Sequence, residues 1–467
     1  MRRVAKKCGN VSLWLIPAAI QLAAAFAADT ATPESKLDSH RAAESNRHGV
    51  ALVERGKLSE AESTFRSALA DCENCVALGS ILNNLGEVYY ATGRFSAAGP
   101  LYERALALRE AKEGSDALVL LPLLNNLALL YRETADYARA LRFAERARSI
   151  AELHNAVETA EGGTAFANLG EIEQMQGDLA GARKWLRRAL SIRERLLSPS
   201  DALIAETLSD LALADRAEGR FKTAAELYRR ALAVLQAASD GKQGSAQNDK
   251  ALLAVLKKSG VVLSNLGQVE AEQGHLKEAE QIARQSVADL ERACGPQHPS
   301  TAAGYVNLAK ILRYRRRFDE AGQALLHAQA IDRQAFAPDH PRIANDLSLQ
   351  AALAFDRKRY PEAEKLFQQS LAILSCRFPT PQIEIGRLTA NLAEVYVREK
   401  RFPEAASAFD QALAILERTL GPDNAELVPT MEHYSQVLRA QQDFAKAASL
   451  EARAMKIRVT RTLKRAA

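Results

Sequence analysis

Few of the residue patterns that build active sites occur in this sequence. There is no GxxxxGK(S/T) or GxGxxG phosphate loop and no HExxH metal motif. The eight histidines do not cluster with a serine, cysteine or carboxylate partner. Enzymatic activity is therefore not expected, nor is a cofactor or a bound metal. Aromatics make up only 6% of the 467 residues, and glycine and proline number 24 and 15. No long run of one charge is present, which excludes an extended disordered tail. What remains, rich in alanine, leucine, arginine and glutamate, is a helix-forming mixture able to bury apolar surface.

The first residues differ from the rest. Arg2, Arg3, Lys6 and Lys7 precede an apolar run from Val11 to Ala28 that contains Ala25-Phe26-Ala27. A positive start, a short apolar core and an A-x-A ending are the parts of a secretory signal peptide, with cleavage expected after Ala27 or Ala28. A retained membrane anchor is the alternative, although Pro17 and Gln21 interrupt the run. Cys8 lies before the apolar run, so a lipoprotein is not expected. Removing residues 1–27 takes the formal charge from +5 to +1. The alkaline pI thus argues for no nucleic-acid partner. The expected setting is periplasmic or extracellular, with membrane contact only through an uncleaved N-terminal segment.

Few cysteines are present, five in all. Cys72 and Cys75 form a lone C-x-x-C in a connector, too little for zinc and without a βαβ context for thiol-exchange chemistry. In an oxidising compartment they could form a local disulfide, the alternative being two inert thiols. Cys294 and Cys376 occupy matching places two repeats apart, too distant to bond.

The organising feature appears when one large residue is tracked along the chain. Leu58, Phe95, Tyr137, Leu179, Phe221, Leu276, Phe318, Tyr360, Phe402 and Phe444 are spaced by 42 residues, except for a first step of 37 and one of 55. Three residues after each stands an alanine, from Ala61 and Ala98 to Ala405 and Ala447. Seven further on is a second small column, including Ala68, Ala105, Ser286 and Ser370. Nine before the tracked residue is Gly49, Gly86, Ala128, Gly170 or another small residue. Small residues at fixed places let helix axes approach, so these columns mark helix crossings. Gly93, Gly177 and Gly219 mark the turns between paired helices. Self-similarity at such a period means a solenoid.

The stretch Leu85-Gly86-Glu87-Val88-Tyr89 through Ala98 and Ala105 resembles the tetratricopeptide repeat. The 42-residue period and connectors such as Gly295-Pro296-Gln297-His298-Pro299 resemble the kinesin-light-chain variant of that family. The resemblance covers nearly all of residues 42–457. It implies an all-α, right-handed α-solenoid (a superhelix) of about ten antiparallel helix-turn-helix repeats. It also implies a non-enzymatic scaffold that binds a protein or peptide partner in a concave groove. Residues 28–40 read as a linker, 41–236 as repeats one to five, 237–250 as an inserted flexible loop, 251–457 as repeats six to ten, and 458–467 as a basic tail. The alternative is a structural assembly factor of an envelope complex that uses its convex face or its ends.

On the wheel of the first helix in a unit, Leu82, Leu85, Gly86 and Tyr89 must pack, while Ser80, Asn84, Glu87 and Ala91 face the other way. In proteins of the family that face lines the groove. One column on it is nearly uniform: Asn84, Asn126, Asn168, Asp210, Asn265, Asn307 and Asn391, broken by Leu349 and His433. Asparagine is not favoured mid-helix, so the column needs a reason. Either the amides pair with an extended peptide, as the resemblance implies, or each bonds a neighbouring helix and fixes repeat geometry. Six basic and six acidic residues flank the column and give no net steering, although Lys310 and Arg313 together could hold a carboxylate. The His298-Pro299 and His340-Pro341 pairs read as helix starts rather than metal ligands, with proline at the first turn. Glu451 stands where other repeats are mostly apolar, as a capping repeat requires.

Overall fold

The structure is a computed structural model that describes residues 33–55, 57–72, 75–240, 246–377 and 383–466. The N-terminal signal-type segment lies outside them. Among the described residues there are twenty α-helices, one 3-10 turn and no strand, and no helix is long and apolar enough to cross a membrane. The chain divides into two compact units, one up to Val234 and one from Leu235.

In the first unit the helices pair as α1 (Pro33–Glu54) with α2 (Leu58–Ala70), α3 (Leu78–Ala91) with α4 (Phe95–Glu113), and α5 (Leu121–Glu133) with α6 (Tyr137–Leu153). The 3-10 turn Leu118–Leu120 leads into α5. Then follow α7 (Ala160–Gln176) with α8 (Leu179–Leu196), and α9 (Ala202–Ala217) with α10 (Phe221–Asp240), which continues past the boundary. The second unit pairs α11 (Ala246–Glu272) with α12 (Leu276–Cys294), α13 (Pro299–Tyr314) with α14 (Phe318–Ala335), and α15 (Pro341–Asp356) with α16 (Tyr360–Arg377). It closes with α17 (Ile383–Arg398) and α18 (Phe402–Leu420), then α19 (Leu427–Ala440) and α20 (Phe444–Ala466). Every tracked large residue is the first residue of an even-numbered helix.

The alanine column explains the pairing. All ten members, Ala61 through Ala447, are fully buried. A methyl at that place lets the two helices of a hairpin close to contact distance. Between the alanine columns each even helix carries one residue aimed at the small position of its partner. Where that residue is large, the small position must be small. A Cβ added at Gly86 would lie 2.7 Å from the Tyr102 ring, and one at Gly170 2.6 Å from Leu186. Ser286 and Ser370 replace alanine in the second small column and donate their hydroxyls to the carbonyls of Gly260 and Ala344, so neither buried oxygen is left unsatisfied.

From the α3–α4 turn onward, each hairpin turn closes in one way. The residue two before the tracked position has a left-handed backbone, and the amide after it donates to a carbonyl five residues back, as Arg94 does to Tyr89 at 2.8 Å. Glycine fills this place at Gly93, Gly177, Gly219 and Gly274, as the first three predict from sequence. It is filled without glycine by Ala135, Arg316, Lys358, Lys400 and Gln442, each with φ between 59° and 64°. Helix starts follow the capping expectation. His298 and His340 accept through Nδ1 from the amides of Ser300 and Arg342, with proline at the first turn.

Three boundaries read from sequence are corrected. Helix α1 already begins at Pro33, inside the presumed 28–40 linker, because no breaker follows that proline. Segment 237–250 is not all loop: α10 runs on to Asp240 and α11 starts at Ala246, with 241–245 outside the described residues. The basic stretch 458–466 is the last turns of α20 rather than a tail.

Adjacent helices pack from α1 to α9 and from α11 to α20, and odd-numbered helices also approach one another: α1 with α3, α3 with α5, α5 with α7 and α7 with α9 in the first unit, α11 with α13, α13 with α15 and α17 with α19 in the second. Setting α10 aside, no two even-numbered helices approach in this way among the described residues. Within each unit the odd helices therefore lie on the inside of the bend. Gly86→Leu, which drives a branched side chain into the Tyr102 ring, should destabilise the protein by about 1–3 kcal/mol. A thermal melt followed by circular dichroism checks this.

Candidate functional site

The inner face of each unit is made by the odd helices, and the asparagine column runs along it. The neighbouring odd helix covers much of this face, so Ser80, Asn84, Glu87 and Ala91 are half-buried rather than free. Asn84 Nδ2 donates to Asn46 Oδ1 at 3.0 Å, and Asn126 Nδ2 to Asn83 Oδ1 at 3.1 Å. Asn168, which is buried, donates to the Asn125 carbonyl at 3.3 Å. Asn307 donates to Ser264 Oγ. The geometry repeats: three acceptors lie 43 residues back, and the first 38 back where the repeat is shorter. One amide per repeat is thereby used to fasten its helix to the one before, as the geometry-fixing reading of the column requires.

Charged residues beside the column complete the fastening. Glu87 Oε1 accepts from Asn83 at 2.7 Å and Asn126 at 3.2 Å; its burial raises its pKa, and these two amides pull it back down. Arg132 pairs with Glu171, Arg313 Nε with Asp356 Oδ2 at 2.5 Å, and His433 Nδ1 with Glu394 Oε1 at 2.6 Å. The proposed carboxylate spot at Lys310 and Arg313 thus has its arginine already paired. Asp210 stands where its neighbours have asparagine. Burial pushes its carboxyl well above the aspartate range, the Glu206 charge adds to the rise, and Arg132 and Arg193 oppose it.

Two asparagines behave differently. Asn265 is half-buried and Asn391 exposed, and neither makes a side-chain hydrogen bond among the described residues. Both belong to the second unit.

Away from the column, Cys72 and Cys75 are joined in a disulfide, with Cα atoms 5.2 Å apart, while Cys294 and Cys376 are free. Glu270, His275 and Glu278 bring ligand-type atoms within 4.8 Å of one another, a group invisible in sequence because the turn after α11 folds it together. His275 Nδ1 and Glu270 Oε2 lie 2.7 Å apart and engage each other. Sequence reasoning also missed an acid in the core. Asp346 stands in α15 at a place held by Leu388, Thr430 and Gly304 in other repeats, with only 2% of its surface exposed and neither carboxylate oxygen hydrogen-bonded. Burial, then the charge of Asp332, raises its pKa to about 7 against the pull of Arg342, Arg333 and Lys310.

The sequence profile described as Tetratricopeptide repeat matches residues 77–152, 163–237, 259–328, 300–375 and 384–458. Comparison with curated proteins gave no match. Among solved structures, the chain is similar to the apo form of the quorum sensor NprR from B. thuringiensis, at 13% identity over 81% of this chain and 99% of that one, with a TM-score of 0.56. It is similar to a Rap protein complexed with Competence and Sporulation Factor, at 13% identity over 82% and 98%, with a TM-score of 0.55. Nearly identical TPR-like repeats of a kinesin-light-chain-type protein from Podosopora anserina match at 21% identity over 42% of this chain and 93% of that one, with a TM-score of 0.36.

Asn168→Ala should cost about 1 kcal/mol through its lost inter-repeat bond, and Asn391→Ala close to nothing, as read by thermal melts of the two variants. A second measurement concerns Asp346. A folded-state pKa above the unfolded value means that stability is highest with the group protonated, below about pH 4, and is lost as pH rises through about 7. Asp346→Asn should therefore flatten the decline in melting temperature between about pH 5 and pH 8.

Proposed function

This chain belongs to the tetratricopeptide repeat family, and from that membership we propose a non-enzymatic interaction scaffold that holds a peptide segment of a partner protein on its odd-helix face, outside the cytosol. The observation that carries the reading is the division within the asparagine column. Asn84, Asn126, Asn168 and Asn307 are committed to the neighbouring repeat, whereas Asn265 and Asn391 keep both amide groups available on the same face. An extended peptide backbone offers the donors and acceptors that such amides satisfy. The binding segment is accordingly assigned to the second unit.

The setting is argued from two independent features. The N-terminal charge and apolar pattern is that of a secretory signal, and a Cys72–Cys75 disulfide persists only where thiols are not kept reduced. A second reading, assembly through an end of the array, draws on α20, where Phe444, Met455 and Val459 are 59%, 68% and 53% exposed. In the preceding repeat the counterpart of Met455 is Leu413, which is buried.

Partner recovery from an envelope extract should fall when Asn265 and Asn391 are both changed to alanine, with the circular-dichroism spectrum unchanged. Undiminished recovery would remove the odd-helix face from consideration, and loss on Met455→Glu instead would favour the end. N-terminal sequencing of the exported protein should begin at Ala28 or Asp29. Cys294 and Cys376 should be alkylated without reductant, and Cys72 and Cys75 only after it.

A further inference from the structure

The even-numbered helices do not close on one another, and between α6 and α8 this leaves a cleft on the face opposite the asparagine column. It measures about 500 Å³ and is open to solvent. Its apolar wall is Val157 with Phe166 and Trp185, whose rings stack at 5.6 Å and 17°. Trp185 Nε1 donates to Glu173 Oε1 at 2.9 Å, which fixes the indole plane. Phe166, on α7, is 3% exposed and reaches the cleft from beneath.

The rim is basic. Lys184 Nζ rests 4.1 Å from the centre of the Trp185 ring, and the Arg148 guanidinium carbon lies 5.7 Å from it. Arg187 and Arg188 line the same edge and are exposed. Arg188 and Arg195 pair with Glu158, Arg148 pairs with Glu152, and Glu173 is the third carboxylate, so five cations meet three carboxylates. Lys184 and Arg187 have no ion-pair partner among the described residues. Lys184 rests on the ring face and feels the Glu173 charge from beyond ion-pair distance, a setting in which an incoming carboxylate can take over the ammonium.

We propose that this cleft is a second docking site, for an acidic peptide segment that places one bulky apolar side chain against Trp185 and Phe166 and its carboxylates on Lys184 and Arg187. The apolar wall and the excess of positive rim charge each match one half of that ligand. A nucleic-acid strand fits less well, because the cations surround one cleft rather than following a track along the helices. The inference goes beyond the scaffold reading and does not depend on it, since the cleft lies in the first unit and Asn265 and Asn391 in the second.

The sequence supplies its own probe. Only Trp14 and Trp185 are tryptophans, so the full chain carrying Trp14→Phe emits from Trp185 alone. A nine-residue synthetic peptide of aspartate and glutamate around one phenylalanine should change that emission saturably. The same peptide with serine for every acid, or with serine for the phenylalanine, should bind about tenfold or more weakly. The Lys184→Ala/Arg187→Ala variant should lose about tenfold in affinity with an unchanged circular-dichroism spectrum. Three results overturn the proposal: equal binding of the serine peptide, unaltered binding by the Lys184/Arg187 variant, or no saturable change up to about 1 mM peptide. Tighter binding of an oligothymidylate than of the acidic peptide overturns it as well.

Discussion

The structure depends on how closely two helices of a hairpin can approach. That distance is set by the alanine three residues into each even helix, buried in all ten copies. A larger side chain there would separate the axes, and the large residue four positions further on would no longer reach its small partner on the odd helix. Phe65 against Gly49, Tyr102 against Gly86 and Leu186 against Gly170 are versions of this one contact. Because it is local to each hairpin, it says nothing about how one hairpin meets the next.

Registration between hairpins is carried by polar groups instead. The asparagine amides and the ion pairs beside them run along the inside of each unit, where odd helices come close enough for direct bonds. A second set joins the turns to the preceding even helix: Arg94 to Glu62, Arg317 to Glu280 and Arg401 to Glu364. The Glu62 and Glu364 pairs are partly exposed and individually weak, whereas Glu280 is buried and held by Arg284, Arg315 and Arg317. A bonded amide on a covered face is worth more than an exposed ion pair, because leaving it unpaired would incur the desolvation of its donor. The faces therefore divide their labour. The inside is largely occupied with holding the array together, and the gaps between even helices carry no such duty.

Much of the fold was legible in residues 58–454. The tracked column marks the first residue of every even helix, and the small columns mark the crossings, because packing forces one residue type at one spacing. The column of asparagines was visible too, but not which of its members are committed. Asn307 and Asn391 read alike in sequence, and only the placement of Ser264 beside the first separates them. The aromatic cleft left no periodic trace, since Val157 comes from a connector and Phe166 and Trp185 from the two helices of one hairpin. The helical character of 237–240 and 246–250 was hidden by polar, turn-favouring residues. Asp346 broke the pattern without any signal to distinguish a buried acid from an exposed one.

The turns differ along the chain in a way that bears on what keeps each hairpin closed. Three of the four turns that close hairpins from Gly93 to Gly219 use glycine, which adopts the left-handed backbone without strain. After Gly274 the next four turns place Arg316, Lys358, Lys400 and Gln442 in that conformation, at about 1 kcal/mol or more each for a residue with a side chain. In turns of the second kind the strained backbone is kept in place by the packing of the two helices that it joins, so those hairpins draw on their tertiary contacts more than the glycine-closed ones do.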